Sequence, residues 1–231
     1  MNTAPIWLSF KVAFIAAAIV LGLGLAAVGI ADRLPVRWRN LVRMAATLPL
    51  VLPPTVLGYY LLVLIGRTSP LGQFWQRLFG FDLVFTWQAA VLAAAVASFP
   101  LFFMTAMPAF ESIDESLINA ARTLGKSEWR IFWAVKLPLA WRGILSGVSL
   151  AFSRALGDFG VTLMIAGNIP GRTQTAPLAV YDYVVTGNRS AANQLALITT
   201  VVGIGLLFIG TWVVHRKLGT TPIFTGEKKA N

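Results

Sequence analysis

The 231-residue chain contains no cysteine, a single histidine and few charged residues. The absence of cysteine excludes disulfides and thiolate metal sites, and His215 alone cannot form a metal site without other ligands. Asp, Glu, Lys and Arg make up only 12% of the chain, against about 25% in an ordinary soluble domain. The sequence shows neither an internal repeat nor a set of nucleophile, base and orienting group. These deficits favour a membrane protein that has no active site or metal centre of its own.

Hydrophobic residues make up 57% of the chain, and five apolar windows are long enough for membrane spans. Crossing the hydrocarbon layer takes about 20 helical residues. We therefore predict an all-α, polytopic transmembrane helix bundle formed by one domain, residues 1–231. Pro100 and Pro108 are expected to break or bend the third span, and the fourth crosses the bilayer only if Arg154 and Asp158 lie inside it. The predicted spans cover about residues 12–31, 44–65, 85–109, 143–165 and 195–214.

Lysine and arginine are concentrated on one predicted side of the membrane. The loop after the first span, the central loop and the C-terminal tail carry four, five and four of them, whereas the opposite loops carry only Arg67, Arg77, Arg172 and Arg189. The positive-inside rule therefore predicts an outer N-terminus and a cytoplasmic C-terminus, in a multi-pass protein of a bacterial-type inner (plasma) membrane. Because this asymmetry accounts for most of the net charge of +10, no nucleic acid partner is expected.

The longest polar segment between apolar runs, residues 112–138, carries the clearest local signals. Ser112 followed three residues later by Glu115 forms a capping box, which predicts the start of a helix. Gly125 is placed to end that helix in a left-handed turn. Ser127 is positioned to cap a second helix, which is expected to stop before Pro138. The first helix should present one apolar face, formed by Ile113, Leu117, Ala120 and Leu124.

This segment resembles the cytoplasmic EAA loop of ABC importer permeases, which has the pattern E-A-A-x3-G-x9-I-x-L-P. Two positions depart from the pattern, with Asn119 in place of Glu and Val135 in place of Ile. The resemblance implies that residues 111–138 form a coupling loop that docks into a cleft of an ATP-binding subunit. An ordinary amphipathic loop between two spans is the alternative. The residues assigned to the coupling contact are Glu115, Asn119, Ala120, Ala121, Arg122, Leu124, Gly125, Leu137 and Pro138.

Two stretches at membrane depth could line a translocation path. The first contains Pro53 and Pro54, which remove backbone donors and either line a cavity or form a packing kink. The second contains Arg154 and Asp158, four residues apart on one helix face. They form either a structural ion pair or part of the path or its gate. The other candidates for the path are Lys11, Thr55 and Ser153.

Three further features have simpler interpretations. Lys11 opens the first span and either extends toward the outer surface or adds positive potential for an entering anion. Gly143 and Gly147 are spaced to let two helices approach closely. The outer segment, residues 166–193, is long enough to hold a surface or re-entrant helix.

Beyond the central loop, several blocks resemble the molybdate permease branch of the sulfate, molybdate and tungstate importers. They are LPLVLPPTVLGYYLL, WQAAVLAAAVASFPL, AARTLG, SRALGDFG and NIPGRTQTAP. In SRALGDFG, Asp158 stands where the family has Glu. The resemblance implies the fold of a type I ABC importer permease, and a transport subunit that moves molybdate or tungstate by alternating access. A sulfate or thiosulfate permease of the same branch is the alternative, followed by a membrane-embedded enzyme or an ATP-independent channel.

The same resemblance implies the partners and cofactors. They are a second permease copy forming a homodimer, a pair of ATP-binding cassette subunits and a periplasmic oxyanion-binding protein, all assembled at the lipid bilayer. ATP and Mg²⁺ would bind to the partner subunits, and this chain would bind no cofactor or metal itself. Gly125, Lys126 and Ser127 do spell the end of a Walker A loop, but the glycine required five residues earlier is Ala120.

Overall fold

The structure, a computed structural model, describes the backbone of residues 3–216 and the side chains in this range except those of residues 206, 207 and 209–216. Within these residues the chain is all-α, as predicted, with no strand. The elements are α1 (Ala4–Arg33), α2 (Val36–Val51), α3 (Pro54–Ile65), α4 (Pro70–Phe79), α5 (Trp87–Glu111), α6 (Glu115–Thr123), α7 (Glu128–Ile131), a π-helical turn (Phe132–Lys136), α8 (Leu137–Leu139), α9 (Trp141–Leu156), α10 (Gly160–Ala166), α11 (Ala176–Val185) and α12 (Arg189–Arg216).

Helix α5 lies at the centre of the bundle, between α1 and α9. Thr86 caps its first turn by accepting a hydrogen bond from the backbone N–H of Ala89 at 3.3 Å. Short side chains let the neighbouring helices approach, and the buried alanines are Ala89, Ala90, Ala93, Ala94, Ala95, Ala97 and Ala106. Larger side chains, Phe102, Phe103, Met107 and Phe110, fill the other end of the same helix and are also buried.

Pro100 and Pro108 do not break the third span, because α5 continues from Trp87 to Glu111 through both prolines; the alternative, a bend, stays a prediction. Each proline removes only one backbone donor, and the turns on either side keep theirs. Ser98 Oγ and Thr105 Oγ1 bond to Ala94 O at 2.6 Å and Leu101 O at 2.9 Å, which are not the carbonyls that the two prolines leave without a donor. Tolerance of this kind is typical of helices packed inside a membrane bundle.

Two of the predicted spans are broken helices. The window at residues 44–65 divides into α2 and α3, whose axes differ by 110°. The break falls at Leu52 and Pro53, which are extended, and Pro54 begins α3 at a position where the missing N–H costs nothing. The window at residues 143–165 divides into α9 and α10, separated by Gly157, Asp158 and Phe159.

By length and apolar character, α1 and α5 are the described helices that could each cross a membrane. Four crossings result if each sharply bent pair, α2 with α3 and the α7–α8 segment with α9, counts as one. The fifth predicted window lies within α12, which extends to Arg216. The cations of the tail, Lys217, Lys228 and Lys229, lie outside the described residues, so the five-span count and the orientation stay predictions.

The outer segment contains a helix, α11, whose first residue is hydrogen-bonded to α1 near the N-terminus. Ser9 on α1 is buried, and its hydroxyl accepts a hydrogen bond from the backbone N–H of Ala176 at 2.7 Å. The first N–H groups of a helix have no partner within the helix, so an external acceptor is needed when they are buried. Helix α11 also packs against α12.

The close approach predicted for Gly143 and Gly147 is confirmed by the packing of α9 on α5. A Cβ atom added to Gly143 would overlap Ala109 Cβ and come within 2.9 Å of Thr105 O. One added to Gly147 would lie 2.5 Å from Thr105 Oγ1 and 3.0 Å from Phe102 Cδ2. Only glycine fits at these two positions without moving α9 away from α5.

We expect Gly143→Ala to destabilise the bundle by about 1–3 kcal/mol, the usual cost of overpacking a tight contact. The measurement is the thermal unfolding midpoint of the detergent-solubilised chain. Gly203→Ala is the matched control, since a Cβ there meets nothing within 4 Å and alanine favours a helix. Equal midpoints for the two variants would contradict the tight contact.

Candidate functional site

The central loop begins with a helix that is capped by Asp114 and not, as predicted, by Ser112. Asp114 Oδ1 accepts from the backbone N–H of Ser116 at 2.8 Å, and hydrogen bonds from Ser116 lower the pKa of this carboxyl. Helix α5 runs on to Glu111 and leaves Ser112 with helical backbone angles, which an N-cap residue does not have. Ser112 instead closes α5 by donating to Ala109 O at 3.0 Å.

The turn predicted at Gly125 is confirmed. Gly125 has a φ of 71°, in the left-handed region that favours glycine. The backbone N–H of Gly125 donates to Arg122 O at 2.9 Å and that of Lys126 to Ala121 O at 3.2 Å, which closes the end of α6. The predicted cap at Ser127 is also present, with its hydroxyl accepting from the N–H of Arg130 at 3.4 Å.

The second helix of the loop does not stop before Pro138 as predicted. After α7 the chain widens into the π-helical turn, in which the N–H of Leu137 bonds to Phe132 O, five residues back. The longer bonding interval changes the register ahead of Pro138, so the missing N–H of proline does not end the helix. The helix ends at Leu139, and the chain bends by 72° at Ala140 before α9 begins.

Helix α6 has one buried face and one exposed face. Ile118 and Ala121 are buried against Ile131 of α7, which fixes the orientation of α6. The exposed face carries Leu117, at 50% exposure, and Leu124, at 78%. The other coupling candidates that are exposed are Glu115, Asn119, Ala120, Arg122, Gly125 and Pro138, while Leu137 is half-buried. Apart from Ala121, the helical residues assigned to the coupling contact are therefore accessible to a partner.

Arg122 ties α6 to α7. Its Nε lies 2.6 Å from Glu128 Oε1, and its Nη1 donates to Asn119 Oδ1 at 3.0 Å. The hydrogen bond from Arg122 lowers the pKa of Glu128, and Glu128 raises the pKa of Arg122. Because the pKa of Glu128 is lowered on folding, the pair stabilises the loop at neutral pH, and this contribution is lost as the pH falls through that pKa. Asn119, which replaces the Glu of the EAA pattern, is thus a neutral partner of the same arginine.

A buried ion pair that was not predicted from the sequence joins this loop to α1. Lys136 Nζ, in the π-helical turn, is paired with Asp32 in the last turn of α1. The two side chains are only 10% and 14% exposed. The partners are 104 residues apart, so no local spacing rule connects them. The available signal was that Asp32 is the only acidic residue before Asp82.

A third ion-pair cluster lies at the same end of the bundle. Glu111, the last residue of α5, pairs with Arg43 and, at 3.4 Å, with Arg39, both on α2. The loop between α5 and α6 thus starts from a point that is fixed to α2. Among the described residues, no group of three or more His, Cys, Asp or Glu side chains could hold a metal ion.

The structure brings Arg154 and Asp158 together. Arg154 Nη1 lies 3.0 Å from Asp158 Oδ1, and Asp158 is only 3% exposed. Asp158 Oδ2 accepts two further hydrogen bonds from Thr162, one from the backbone N–H at 3.0 Å and one from the hydroxyl at 2.7 Å. The carboxylate therefore binds the first turn of α10 as well as Arg154.

The other candidates for the path fall into two places. Pro53, Pro54 and Thr55 are exposed at the start of α3, where Pro54 packs so closely on Gly160 of α10 that an added Cβ would lie 2.8 Å from Pro54 Cβ. Lys11 and Ser153 instead line an apolar groove of about 850 Å³ between α1 and α9. Lys11 Nζ lies 3.7 Å from the centroid of the Trp87 ring, a cation–π contact between α1 and α5.

Two solved membrane transporters contain chains with this architecture. A chain of the inward-facing MetNI methionine ABC transporter superposes with a TM-score of 0.72 over 92% of this chain and 94% of that one, at 18% identity. A chain of a bacterial ABC transporter that imports the acidic polysaccharide alginate gives a TM-score of 0.72 over 92% and 78%, at 11% identity. The fold is therefore that of a type I ABC importer permease.

Residues 8–218 match the family model described as the binding-protein-dependent transport system inner membrane component, and the chain belongs to this family of ABC transporter permeases. Its members are transport subunits, so the prediction that the chain is not an enzyme is confirmed. The putative molybdenum transport system permease protein YvgM of Bacillus subtilis is 41% identical over 204 residues, which cover 88% of this chain and 90% of that protein.

Other relatives include both molybdenum and sulfate permeases. The molybdenum transport system permease protein ModB of Escherichia coli K12 is 41% identical over 218 residues, covering 92% of this chain and 95% of that protein. The chloroplastic sulfate permease 2 of Chlamydomonas reinhardtii is 37% identical over 162 residues, covering 70% and 44%. The resemblance to the permease branch that includes both is therefore confirmed.

We expect Asp158→Ala to destabilise the chain by about 3–5 kcal/mol, because it leaves Arg154 unpaired and both donors of Thr162 without an acceptor. Asp158→Asn keeps an acceptor for Thr162, so we expect it to destabilise the chain less than Asp158→Ala does. The measurement is the thermal unfolding midpoint in detergent, with Asp182→Ala as the control because Asp182 is half-buried and accepts only a weak 3.5 Å bond from Gln174. A stable Asp158→Ala protein without transport would instead assign the pair to the path.

Proposed function

We propose that this chain is the membrane subunit of an ATP-driven molybdate importer, with tungstate as a second substrate. The relatives named for molybdenum transport match almost the whole chain at 41% identity, whereas the sulfate permease matches 70% of it at lower identity. The single observation that carries the transport mechanism is the exposed apolar face of α6, held in place by a buried face on α7.

The exposed face of α6 is the proposed contact with the ATP-binding subunit. Leu117, Ala120 and Leu124 project from a short, capped helix, which suits insertion into a groove of a partner. The buried face, with Ile118 and Ala121, transfers force from α6 to α7. ATP and Mg²⁺ then belong to the partner, and this chain supplies the moving helices.

The proposed motion is alternating access, in which closure of the ATP-binding subunits moves α6 and rotates the spans. The helical hydrogen bonding is interrupted at Leu52–Pro53, at Ala140 and at residues 157–159, and the last of these breaks is bridged by Asp158, which leaves the first two as the proposed joints. Irregular backbone at membrane depth is tolerated where it lines a cavity or is buried in protein. Pro53, Pro54 and Thr55 next to Gly160 are therefore the preferred wall of the path, and Lys11 and Ser153 are the weaker candidates because their groove is apolar.

A second permease copy is the proposed neighbour of α2. In this helix Ala46 is the only buried residue, while Leu41, Met44 and Leu48 are exposed. A two-fold pair of chains would cover this face and place the path on the axis between them. Under the predicted orientation, α6 faces the cytoplasm and α11 lies at the outer end, where a periplasmic oxyanion-binding protein would deliver the substrate.

Competition between oxyanions tests the substrate. We expect labelled molybdate uptake into proteoliposomes that hold the complete transporter to require ATP and the binding protein. Unlabelled tungstate should compete strongly, and sulfate at the same concentration weakly. Equal competition by sulfate would exclude the molybdate assignment and leave the transporter intact, whereas flux through the permease alone would indicate an ATP-independent channel.

Replacement of Gly125 tests the coupling loop. We expect Gly125→Val to weaken the docking of α6, because a β-branched residue resists a φ of 71° and the end of the helix must shift. A docking free energy reduced by about 1.4 kcal/mol lowers affinity about tenfold. The measurements are co-purification with the ATP-binding subunit and molybdate uptake.

Gly187→Val is the matched control for this experiment. Gly187 has a φ of 79°, and neither Gly187 nor Gly125 has an atom within 4 Å of an added Cβ. The two variants therefore carry a similar backbone strain, but Gly187 follows α11, away from α6. Equal loss of co-purification in both variants would show a general folding defect and would contradict the assignment of α6 as the docking helix.

A further inference from the structure

An apolar groove of about 390 Å³ runs along the last turns of α1, beside the segment that follows the coupling helix. One wall is formed by α1, where Gly22, Ala26 and Gly29 leave space between the larger side chains of Leu25 and Ile30. The opposite wall is aromatic and consists of Trp129, Phe132 and Trp133.

Arg33 lies at the mouth of the groove with an exposed side chain. Among the described side chains it forms no ion pair, because the nearby acids are already taken. Asp32 pairs with Lys136, and Glu128 is bound by Arg122. Arg33 is near enough to Glu128 for its charge to contribute to the lowered pKa of that carboxyl. The mouth of an apolar groove therefore carries a cation that is free to bind an anion from outside the chain.

The aromatic wall is of the type found at the boundary between lipid tails and water. Trp129 and Trp133 are 65% and 48% exposed, and their rings meet edge to face at 5.6 Å. Tryptophan is enriched at the headgroup level of a membrane, where its ring is apolar and its N–H is wet. The groove thus combines an apolar slot, interfacial aromatics and an unpaired arginine, which are the features that one anionic phospholipid would require.

We propose that this groove binds one anionic phospholipid of the cytoplasmic leaflet, with its acyl chain along α1 and its phosphate at Arg33. Basic pockets beside transmembrane helices on the cytoplasmic side suit acidic headgroups. The leaflet rests on the orientation given under the proposed function, whereas the groove and its charge do not. Because Phe132 stacks on Phe110 at 5.6 Å, a bound lipid would touch the aromatic contact that joins the coupling segment to α5.

The test is native mass spectrometry of the complete transporter in mild detergent, titrated with phosphatidylglycerol or with phosphatidylcholine of the same acyl chains. We expect one phosphatidylglycerol per permease chain, preferred about fivefold over phosphatidylcholine, the size expected for one arginine near an anionic surface. Arg33→Gln should remove the preference. Arg37→Gln is the matched control, because it makes the same change of charge on α2, outside the groove.

A second variant fills the slot itself. A Cβ at Gly22 meets nothing within 4 Å, so Gly22→Leu should fold normally and occupy the space of the acyl chain. We expect it to lower the binding of both lipids. Equal binding of the two lipids by the wild type, equal loss in Arg33→Gln and Arg37→Gln, or full binding by Gly22→Leu would each overturn the proposal. The experiment measures lipid binding and uses no oxyanion, so its result does not depend on whether the chain transports molybdate.

Discussion

Close contact between α5 and its two neighbours is the constraint on which the rest of the structure depends. Lipid tails are as apolar as leucine, so helices in a membrane gain little from burying large side chains and associate through tight packing of small ones. The alanines of α5 and the glycines of α9 provide that packing. With α5 fixed, its last residue, Glu111, holds α2 through two arginines, and α6 follows within four residues.

The buried pair of Asp32 and Lys136 adds a second fixed point to the coupling segment. A buried ion pair contributes little net stability, because both charges lose their hydration, but it strongly disfavours any arrangement that separates the partners. The π-helical turn is thereby held in one register against α1. Helix α6 follows the end of α5 and precedes the segment that is paired with α1, so under the proposed function a force on α6 reaches both helices.

The sequence predicted the features that depend on a few neighbouring residues. Gly125 forms a left-handed turn and Ser127 caps the next helix, and both roles depend only on neighbouring residues. The spacing of Gly143 and Gly147 was enough to predict close packing. Ser112 was predicted as the cap, but Asp114 takes this role because α5 extends to Glu111, which local signals do not show. The pairing of Asp32 with Lys136 depends on the whole fold.

The prolines also show that local sequence does not determine where a helix ends. Pro53 ends a helix, Pro100 lies inside one, and Pro138 follows a π-helical turn, although each removes the same backbone donor. The difference comes from the surroundings. Pro100 and Pro108 lie inside α5 as single prolines eight residues apart, one buried and one exposed, whereas Pro53 and Pro54 are adjacent, so two successive backbone donors are lost where α2 ends.

Under the proposed mechanism, these details determine which parts of the chain can move. The bend at Ala140 passes a displacement of α6 and α7 to α9, but Asp158 binds both Arg154 of α9 and the first turn of α10, so these two helices move together. Helix α10 is in turn pressed against α3 at Gly160 and Gly58, where no space remains for sliding. The compliant joint is then the extended backbone at Leu52 and Pro53, because no side chain there restrains the angle between α2 and α3 by an observed hydrogen bond or ion pair.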